Sequence, residues 1–411
     1  MSHNKTLTTL SAALIAIVVV LVAAPGAWPQ SKYKTLYQFS GTDGSQPYAS
    51  LVLDQSGNLY GTTRDGGTYG TGTIFKLTRN DGGSWSERVL YSFTGGPDGS
   101  NPVGGVIFDA AENLYGTATA GGTSGSGVVY ELMPTKGGWT ERVLYSFSGG
   151  RDGSGSFAGL IFDSSGNLYG TTVSGGAYQE GTVFELTPGS GGIWTEHVLY
   201  DFTGGDNGGS PYTPVILDPK GNLYGTTANG GRDDVGVVFK LTPAKGTWTI
   251  LVLHTFTGGH DGGAPDLGSL AMDTAGNLWG TTPAGGVFGY GTVFKLSQSI
   301  GKWKETVIDS FTNADGAEPL GGVIFDAAGN LFGTTAQGGD LKLCSGNGCG
   351  VVFELAPNSK GGWRQTALHR FVDNPGANPL AGMIFDSAGN LYGTTSGDGT
   401  TTFGSVFEIT P

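Results

Sequence analysis

A short motif, Gly-Asn-Leu-Tyr-Gly-Thr, recurs along the chain and constrains its fold more than any other feature. Its seven copies follow one another at intervals of 53 to 55 residues, with one interval of 60 before the last copy. A fixed period of this length is typical of repeat architectures, in which each unit is one supersecondary structure that packs on the next. The copies, some of which have Trp or Phe in place of Tyr, lie at 57–62, 113–117, 166–171, 221–226, 276–281, 329–334 and 389–394.

Each repeat unit contains four short segments with the composition of β-strands. Runs of four to nine residues that are rich in β-branched and aromatic types predict strands, and no segment after residue 30 shows a helical period. Seven units of four antiparallel strands predict an all-β fold, a seven-bladed β-propeller that occupies residues 31–411 as one domain. In the unit 106–147, the four segments are Val106–Phe108, Leu114–Thr117, Val128–Leu132 and Trp139–Phe147.

The two ends of the chain carry complementary parts of one repeat unit. The segment Lys34–Phe39 matches the fourth strand of later units, such as Val89–Phe93, but no first, second or third strand precedes it. The last unit ends after its third strand, Phe403–Ile409. We therefore expect the N-terminal segment to be the fourth strand of the last blade, which closes the ring and removes two open sheet edges.

Residue size predicts the order of the strands from the axis of the propeller to its rim. Small residues, such as Gly104-Gly105 and Ala158-Gly159, precede the first strand, whereas the fourth strand carries a tryptophan. Because blades are crowded at the axis, we expect the first strand to be innermost and the fourth to be outermost. The fourth-strand tryptophans are Trp85, Trp139, Trp194, Trp248, Trp303 and Trp363.

The repeat consensus resembles the GloVer tandem repeat of exported bacterial proteins. It reads (Val/Ile)-Phe-Asp-x-x-Gly-Asn-Leu-Tyr-Gly-Thr-Thr, followed by Gly-Gly and by Gly-Thr-Val-Phe-(Lys/Glu)-Leu, and it covers residues 33–411. A weaker resemblance, through Asp-x-x-Gly-Asn, is to NHL-type propeller repeats. The GloVer resemblance implies export and a propeller-like fold. It implies no established activity and no catalytic residues.

The first 30 residues predict a signal peptide and a short linker. Lys5 gives a basic start, and the apolar stretch Leu10–Ala24 has the length of a signal-peptide core and is short for a membrane-spanning helix. We therefore expect a secreted, periplasmic or cell-surface protein whose mature chain has no membrane span. A retained membrane anchor is the alternative.

Composition and charge exclude several classes of protein. The formal net charge is −13, whereas nucleic-acid-binding proteins need a basic surface for the phosphates. The 77 glycines follow no Gly-X-Y period, which excludes collagen, and the regular spacing of aromatic residues argues against disorder. We expect a monomer that binds no nucleic acid.

Two sets of aspartates recur through the repeats. The first set ends the first strand, in Asp-x-x-Gly-Asn, and we interpret it as structural because its carboxylate can accept hydrogen bonds from the turn. The second set lies in the loop after the fourth strand. It either forms turns or builds an acidic ring around the channel mouth that binds calcium or a cationic ligand. No other cofactor is predicted. The second set comprises Asp43, Asp98, Asp152, Asp206, Asp261 and Asp315.

Residues that break the repeat are the best candidates for ligand binding. The loops between second and third strands carry Tyr69, Tyr178 and Tyr290, and His260 lies in a loop after a fourth strand. We expect both kinds of loop on one face of the propeller, because function is commonly carried by loops on a rigid scaffold. Exposed aromatic rings beside carboxylates suit a glycan, peptide or protein ligand. Simple loop variability is the alternative.

The sequence favours a non-catalytic binding scaffold over an enzyme. His197, His254 and His369 lie on fourth strands, where we expect structural roles. No Ser-His-Asp arrangement, phosphate-binding loop or metal-ligand spacing is present. The alternative function is that of an extracellular carbohydrate-active enzyme, a lyase or hydrolase, that uses loop carboxylates. Such an enzyme should place two carboxylates roughly 5–10 Å apart in one pocket.

The two cysteines, Cys344 and Cys349, lie in a widened loop of the sixth repeat that no other repeat has. An exported protein meets an oxidising compartment, so we predict a disulfide between them. The alternatives are a metal site, although zinc requires about four ligands and no histidine is close in sequence, or reactive thiols.

Overall fold

The computed structural model describes residues 31–374, 376–397 and 402–411. These residues form seven four-stranded antiparallel sheets and two 3₁₀ turns, Ser190–Gly192 and Cys344–Gly346. The prediction of an all-β, seven-bladed propeller is confirmed. The predicted signal peptide and linker, residues 1–30, lie outside the described residues. In the part of the chain that is described, no helix is long and apolar enough to cross a membrane.

Within each blade, the strands are called first to fourth from the axis to the rim, whereas the labels β1 to β28 follow the order of the chain. The first strands are β2 (Val52–Leu53), β6 (Ile107–Phe108), β10 (Ile161–Phe162), β14 (Ile216–Leu217), β18 (Ala271–Met272), β22 (Ile324–Phe325) and β26 (Ile384–Phe385). The second strands are β3 (Leu59–Thr63), β7 (Leu114–Ala118), β11 (Leu168–Thr172), β15 (Leu223–Thr227), β19 (Leu278–Thr282), β23 (Leu331–Thr335) and β27 (Leu391–Thr395).

The two outer strands of each blade are longer. The third strands are β4 (Thr73–Arg79), β8 (Val128–Thr135), β12 (Thr182–Pro188), β16 (Val237–Ala244), β20 (Thr292–Ser299), β24 (Val351–Pro357) and β28 (Ser405–Thr410). The fourth strands are β5 (Trp85–Ser92), β9 (Gly138–Ser146), β13 (Trp194–Asp201), β17 (Thr247–Thr255), β21 (Lys302–Ser310), β25 (Trp363–Arg370) and β1 (Lys32–Gln38). Blade 1 is β2 to β5, and blade 7 is β26 to β28 with β1.

The last blade is closed by the N-terminal strand, as predicted. Strand β1 pairs antiparallel with β28, and the register begins with Lys32 opposite Thr410. Beyond the paired strands, the Phe39 N–H donates to the Gly404 carbonyl oxygen at 3.0 Å. Blade 7 therefore has the same strand order as the other six blades, and its third strand has no open edge.

The order from axis to rim also agrees with the prediction from residue size. The first strands of all seven blades line one central cavity of about 410 Å³. The fourth strands lie at the rim, where their tryptophans are half-buried. The second strands are buried along their whole length.

The apolar core lies largely between neighbouring blades. Tyr60 and Ile74 of blade 1 pack with Val106, Leu114 and Tyr130 of blade 2, and all five are buried. Equivalent clusters join the other blades around the ring. Because each cluster draws on two sheets, the stability of one blade depends on its neighbours.

Two close contacts explain the recurring motif. At Gly61, an added Cβ atom would lie 2.7 Å from the ring of Phe75, so only glycine leaves room for the aromatic side chain of the third strand. The next residue, Thr62, donates from Oγ1 to a backbone carbonyl oxygen of blade 2 at 3.1 Å. The same contact links each blade to the next, including Thr394 to Ala49 across the ring closure. The glycine and threonine of the motif are therefore requirements of blade packing.

Candidate functional site

Two kinds of loop share one face of the propeller, which we call the loop face. They are the loops between second and third strands and the connections from each fourth strand to the next blade, and they are bridged to each other, as Ser45 is to Asp65 and Ser100 to Ala120. The opposite face, the turn face, carries the first-to-second and third-to-fourth turns. The expected grouping of the two kinds of loop is confirmed.

The aspartates of the Asp-x-x-Gly-Asn turns are structural, as interpreted from the sequence. Asp54 accepts hydrogen bonds from the Ser56 and Asn58 N–H groups, from Asn58 Nδ2 and from the Tyr60 hydroxyl, at 2.7 to 3.1 Å. Burial alone would raise the pKa of Asp54, but these hydrogen bonds and the charge of Lys76 outweigh it and lower the pKa. The turn contacts recur at Asp109, Asp163, Asp218, Asp273, Asp326 and Asp386.

Five of the six loop aspartates close the turns in which they lie, and in the remaining loop Asn207 makes the side-chain contacts in place of Asp206. Asp98 is buried and accepts hydrogen bonds from the Thr94 N–H at 2.8 Å, from the Tyr91 hydroxyl at 2.9 Å and from the Thr94 hydroxyl. Asp152 and Asp43 repeat the contacts with a backbone N–H and a tyrosine hydroxyl. Asp261 accepts from the Thr257 N–H, and Asp315 from the Thr312 N–H. A ligand-binding role for these aspartates stays a prediction.

The loop aspartates lie away from the channel mouth, where the alternative of an acidic ring would place them. Tyr91 belongs to β5 at the rim, and the Asp98 carboxylate lies beside its hydroxyl. The central cavity is lined by largely apolar residues, among them Tyr48, Phe157 and Tyr212, and by none of the loop aspartates. The turns that contain Asp98 and Asp152 form beside the fourth strands, before the connections run inward.

A set of partly buried glutamates, which sequence reasoning missed, lies beside the loop aspartates. Each stands two residues after a rim tryptophan and has one carboxylate oxygen that is shielded from solvent and has no hydrogen-bond partner among the described residues. Burial, and to a smaller extent the charge of the aspartate, raises the pKa of each to about 7. The pairs are Glu87 with Asp43, Glu141 with Asp98, Glu196 with Asp152, and Glu305 with Asp261.

Two blades have a residue other than glutamate at the position two residues after the rim tryptophan. In blade 6 it is Gln365, whose Nε2 donates to the Asp315 carbonyl oxygen at 2.9 Å. In blade 4 it is Ile250. In the connection that leads into blade 4, the residue that contacts Tyr200, on the fourth strand of blade 3, is Asn207 instead of an aspartate. A carboxyl group reproduces the Gln365 contact only when it is protonated, since only that form has a hydrogen to donate. The spacing Trp-x-Glu is the sequence signal that could have revealed this set.

The loop tyrosines are exposed and belong to alternate blades. The exposed fraction is 60% for Tyr69 in blade 1, 60% for Tyr178 in blade 3 and 39% for Tyr290 in blade 5. Phe288, close to Tyr290, has an exposed fraction of 56%. His260 is also exposed, in the connection that leads into blade 5. The structure therefore places these residues around the loop face and not within one pocket.

Two fourth-strand histidines occupy structural positions, as expected. His254 Nε2 lies 3.2 Å from Asp261 Oδ2, and the His369 ring stacks on Tyr33 with 3.8 Å between ring centroids. Burial lowers the pKa of both, to about 4 for His369. Both rings are therefore neutral at pH 7.

The predicted disulfide between Cys344 and Cys349 is present, with 5.3 Å between the Cα atoms. Cys349 is fully buried, and Leu343 packs against the core between blades 6 and 7. The Cys344 N–H donates to the Asp373 carboxylate at 2.8 Å. The side chains of Cys344, Cys349 and Asp373 are close enough together for a metal site, but the two sulfur atoms are bonded to each other. The disulfide therefore crosslinks the loop, and Leu343 holds it against the junction between blades 6 and 7.

Comparison with known protein families identifies the repeat. A family model described as the Gloeobacter/Verrucomicrobia repeat matches residues 27–161, 137–344 and 252–411. The chain belongs to the Gloeobacter/Verrucomicrobia repeat family. The resemblance predicted from the consensus is confirmed. No curated protein matches the chain in sequence.

Solved structures that resemble this Gloeobacter/Verrucomicrobia repeat protein share little sequence with it. A putative 6-phosphogluconolactonase from Bacteroides uniformis superposes with a TM-score of 0.51 at 14% identity, over 82% of this chain and 88% of that one. An ancestral GH74 enzyme gives a TM-score of 0.55 at 13% identity, over 91% of this chain and 48% of that one. At such identities the likeness establishes the fold alone.

Proposed function

We propose that this protein is an exported, non-catalytic propeller that binds an extracellular glycan, peptide or protein through its loop face. The observation that carries the proposal is the distribution of exposed apolar side chains. Of the ten large apolar side chains exposed in the described residues, seven lie on the loop face. They are Tyr69, Tyr178, Val287, Phe288, Tyr290, Leu341 and Val372.

Exposed rings on rigid loops are suited to recognition. A tyrosine ring covers apolar surface of a sugar or side chain, while its hydroxyl forms a hydrogen bond, and it loses little conformational entropy on binding. The loop that carries Tyr69 is tied down by backbone hydrogen bonds of 3.0 Å from Gly67 to Gly41 and from Gly72 to Gly66. The ring is therefore presented on a frame that is already ordered before a ligand arrives.

Catalysis by loop carboxylates has less support than binding. Glycoside hydrolysis needs two carboxyl groups that face one cleft. Five of the six loop aspartates are engaged in their own turns, and the acid pairs at the rim recur in four equivalent positions, as a structural element does. We therefore assign no catalytic residue.

Glycan and peptide arrays probed with residues 31–411 test the proposal. We expect the variant Tyr69→Ser/Tyr178→Ser/Phe288→Ser to lose at least about 10-fold in affinity for the array ligand, because buried aromatic contacts dominate such surfaces. The control variant Ile193→Ser/Ile300→Ser removes apolar side chains that are even more exposed from the turn face and should bind like the wild type. Equal binding by all three proteins, or turnover of a bound glycan, would contradict the proposal.

Two further arms address calcium and export. Repeating the arrays with a chelator shows whether the loop aspartates hold a calcium ion that binding requires. Expressing the full chain in a bacterial host and sequencing the N-terminus of the mature protein tests export. A full-length protein that stays in the cytoplasm would contradict the exported assignment.

A further inference from the structure

A polar cleft of about 470 Å³ opens on the turn face at the junction between blade 7 and blade 1. Its size falls within the range of about 300–1,000 Å³ that is usual for ligand pockets. Blade 1 contributes the turn 54–57, Arg79 and Trp85, and blade 7 contributes the turn 385–387 and Tyr392. Because it lies on the opposite face, this cleft is separate from the loops on which the proposed function rests.

Arg79 is the residue of the cleft that departs from the repeat. It is the last residue of β4 and lies opposite Trp85 in the pairing of β4 with β5. Its guanidinium is exposed and makes no hydrogen bond or ion pair with any residue that the structure describes. A single cation therefore stands where the other blades have an uncharged residue. The residues opposite the rim tryptophans of blades 2 to 6 are Pro134, Pro188, Pro243, Gln298 and Pro357.

Every unpartnered polar side chain in the wall of the cleft can donate a hydrogen bond. The Asp386 carboxylate already accepts four hydrogen bonds, as Asp54 does. Asp54 Oδ2 also lies 3.7 Å from Lys76 Nζ, which balances its charge. The side chains of the cleft that have no hydrogen-bond partner among the described residues are Gln55, Ser56, Arg79, Trp85 and Ser387.

Trp85 adds a flat apolar surface beside the guanidinium. Its indole is half-buried and makes an edge contact with the ring of Tyr392 across the blade junction, with 6.3 Å between the ring centroids. Such a ring covers the C–H face of a pyranose while polar side chains around it bind the hydroxyls. A guanidinium binds a carboxylate through two parallel hydrogen bonds.

We infer that this cleft binds an acidic oligosaccharide, with one uronate residue whose carboxylate pairs with Arg79 and whose ring lies against Trp85. The hydroxyls of Ser56 and Ser387 and the amide of Gln55 are placed to bind the hydroxyls of the sugar. The net charge of −13 repels polyanions from the surface as a whole, so binding depends on Arg79, the one cationic side chain among the described residues that line the cleft.

Calorimetry with residues 31–411 tests the assignment, with a galacturonate trisaccharide as the probe and a neutral galactose trisaccharide as its control. We expect the neutral sugar to bind at least about 10-fold more weakly, since it lacks the carboxylate that Arg79 pairs with. Arg79→Pro should lose the same factor, and it introduces the residue that four other blades carry at this position. Arg88→Ala removes the same charge from the same blade outside the cleft and should leave binding unchanged.

Three results would overturn the assignment. The first is no binding of the uronate trisaccharide by the wild type at about 1 mM. The second is equal binding by the wild type, Arg79→Pro and Arg79→Ala. The alanine variant is included because proline could disturb the fold by itself. The third is equal competition by sodium sulfate, which would mark an adventitious ion only. The variant Tyr69→Ser/Tyr178→Ser/Phe288→Ser should bind the uronate trisaccharide like the wild type. The result of this test therefore does not depend on whether the loop face binds a ligand.

Discussion

The two faces of the propeller use aspartate in different ways. On the turn face, all seven aspartates of the Asp-x-x-Gly-Asn turns accept the same backbone hydrogen bonds. On the loop face, the partners differ from blade to blade, with a tyrosine hydroxyl at Asp98, a histidine at Asp261 and a backbone N–H alone at Asp315. Uniform contacts are what a repeated fold requires, whereas varied contacts indicate positions where blades were free to diverge.

The loop face also contains a repeated electrostatic conflict between neighbouring acids. Four of its aspartates lie beside a glutamate that has a shielded oxygen without a partner. The natural replacements, Gln365 in blade 6 and Ile250 in blade 4, are both uncharged. The comparison therefore predicts that the protein gains stability when the four loop-face glutamates are neutralised, because their pKa is raised, and loses stability when turn-face aspartates such as Asp54 and Asp386 are neutralised, because their pKa is lowered.

The largest effect should come from opening the ring that carries both faces. Deleting residues 31–39 exposes the edge of β28 and removes Leu36 and Phe39, which are both buried. Burial of two such side chains contributes about 1.5–3 kcal/mol each, so we expect a loss of at least several kcal/mol and oligomers formed through the open edge. Calorimetry and light scattering check this. A monomer with an unchanged melting temperature would refute the closure.

The second effect is a dependence of stability on pH that arises from the loop-face glutamates. The glutamates have a pKa of about 7 in the folded protein and an ordinary value of 4.5, so the protonated acid favours folding. Their stabilisation is complete below pH 4.5 and is lost as the pH rises to about 7. With solvent screening taken into account, we expect about 1 kcal/mol for each of Glu87, Glu141, Glu196 and Glu305.

Melting temperatures between pH 4.5 and pH 8 measure this loss. The charged groups that face the glutamates are the loop aspartates, with Asp201 near Glu196 and Lys304 near Glu305. A variant with all four glutamates changed to Gln should keep its stability across this range, apart from the contribution of other groups. A wild type and a variant with parallel pH profiles would show that the glutamates are ionised in the folded state.

A smaller effect should distinguish one aspartate from its counterpart on the other face. We expect Asp109→Asn to cost about 2 kcal/mol, because an amide cannot accept from both the Asn113 side chain and the turn. Asp98→Asn should cost about 1 kcal/mol less, since Asn207 already fills the equivalent place and the charge beside Glu141 is removed. Urea denaturation at pH 7 measures both. Equal losses would remove the distinction between the faces.

The smallest global effect should follow from removing the disulfide. Cys344→Ser/Cys349→Ser opens a loop with a sequence separation of 5 residues, for which the chain-entropy estimate is about 2 kcal/mol. We expect that contribution to act on the loop more than on the ring, with faster amide exchange around residue 346 and a nearly unchanged melting temperature. Two free thiols in the unreduced, denatured wild type would contradict the bridge.

Much of the fold could be predicted because the same pattern of strands and turns occurs seven times in the sequence. The blade number follows from the period, the closure from the incomplete last unit, and the disulfide from two cysteines with flexible glycines between them. Gly61 and Thr62 recur because one faces Phe75 and the other bonds the next blade, so the motif itself encodes the packing.

The contacts between blades were harder to predict. Glu87 is recognisable as an acid two residues after Trp85, but its conflict with Asp43 exists only because a particular loop packs on a particular strand. Arg79 is an ordinary charged residue until the strand register places it opposite Trp85, where other blades have proline. The first feature depends on contact between segments that are distant along the chain, and the second depends on the register of the β4–β5 hairpin. A single sequence reveals neither the contact nor the register.

The pairing of β1 with β28 has a topological consequence. Because Lys32 lies opposite Thr410, the two ends of the ring are neighbours, and the folded sheets do not depend on where the backbone is interrupted. A circular permutant could join these ends with a short linker and open the hairpin between Ser299 and Lys302. Strand β21 would then become the N-terminal strand, and the hydrogen-bonded seam would move from blade 7 to blade 5 while every sheet kept its order.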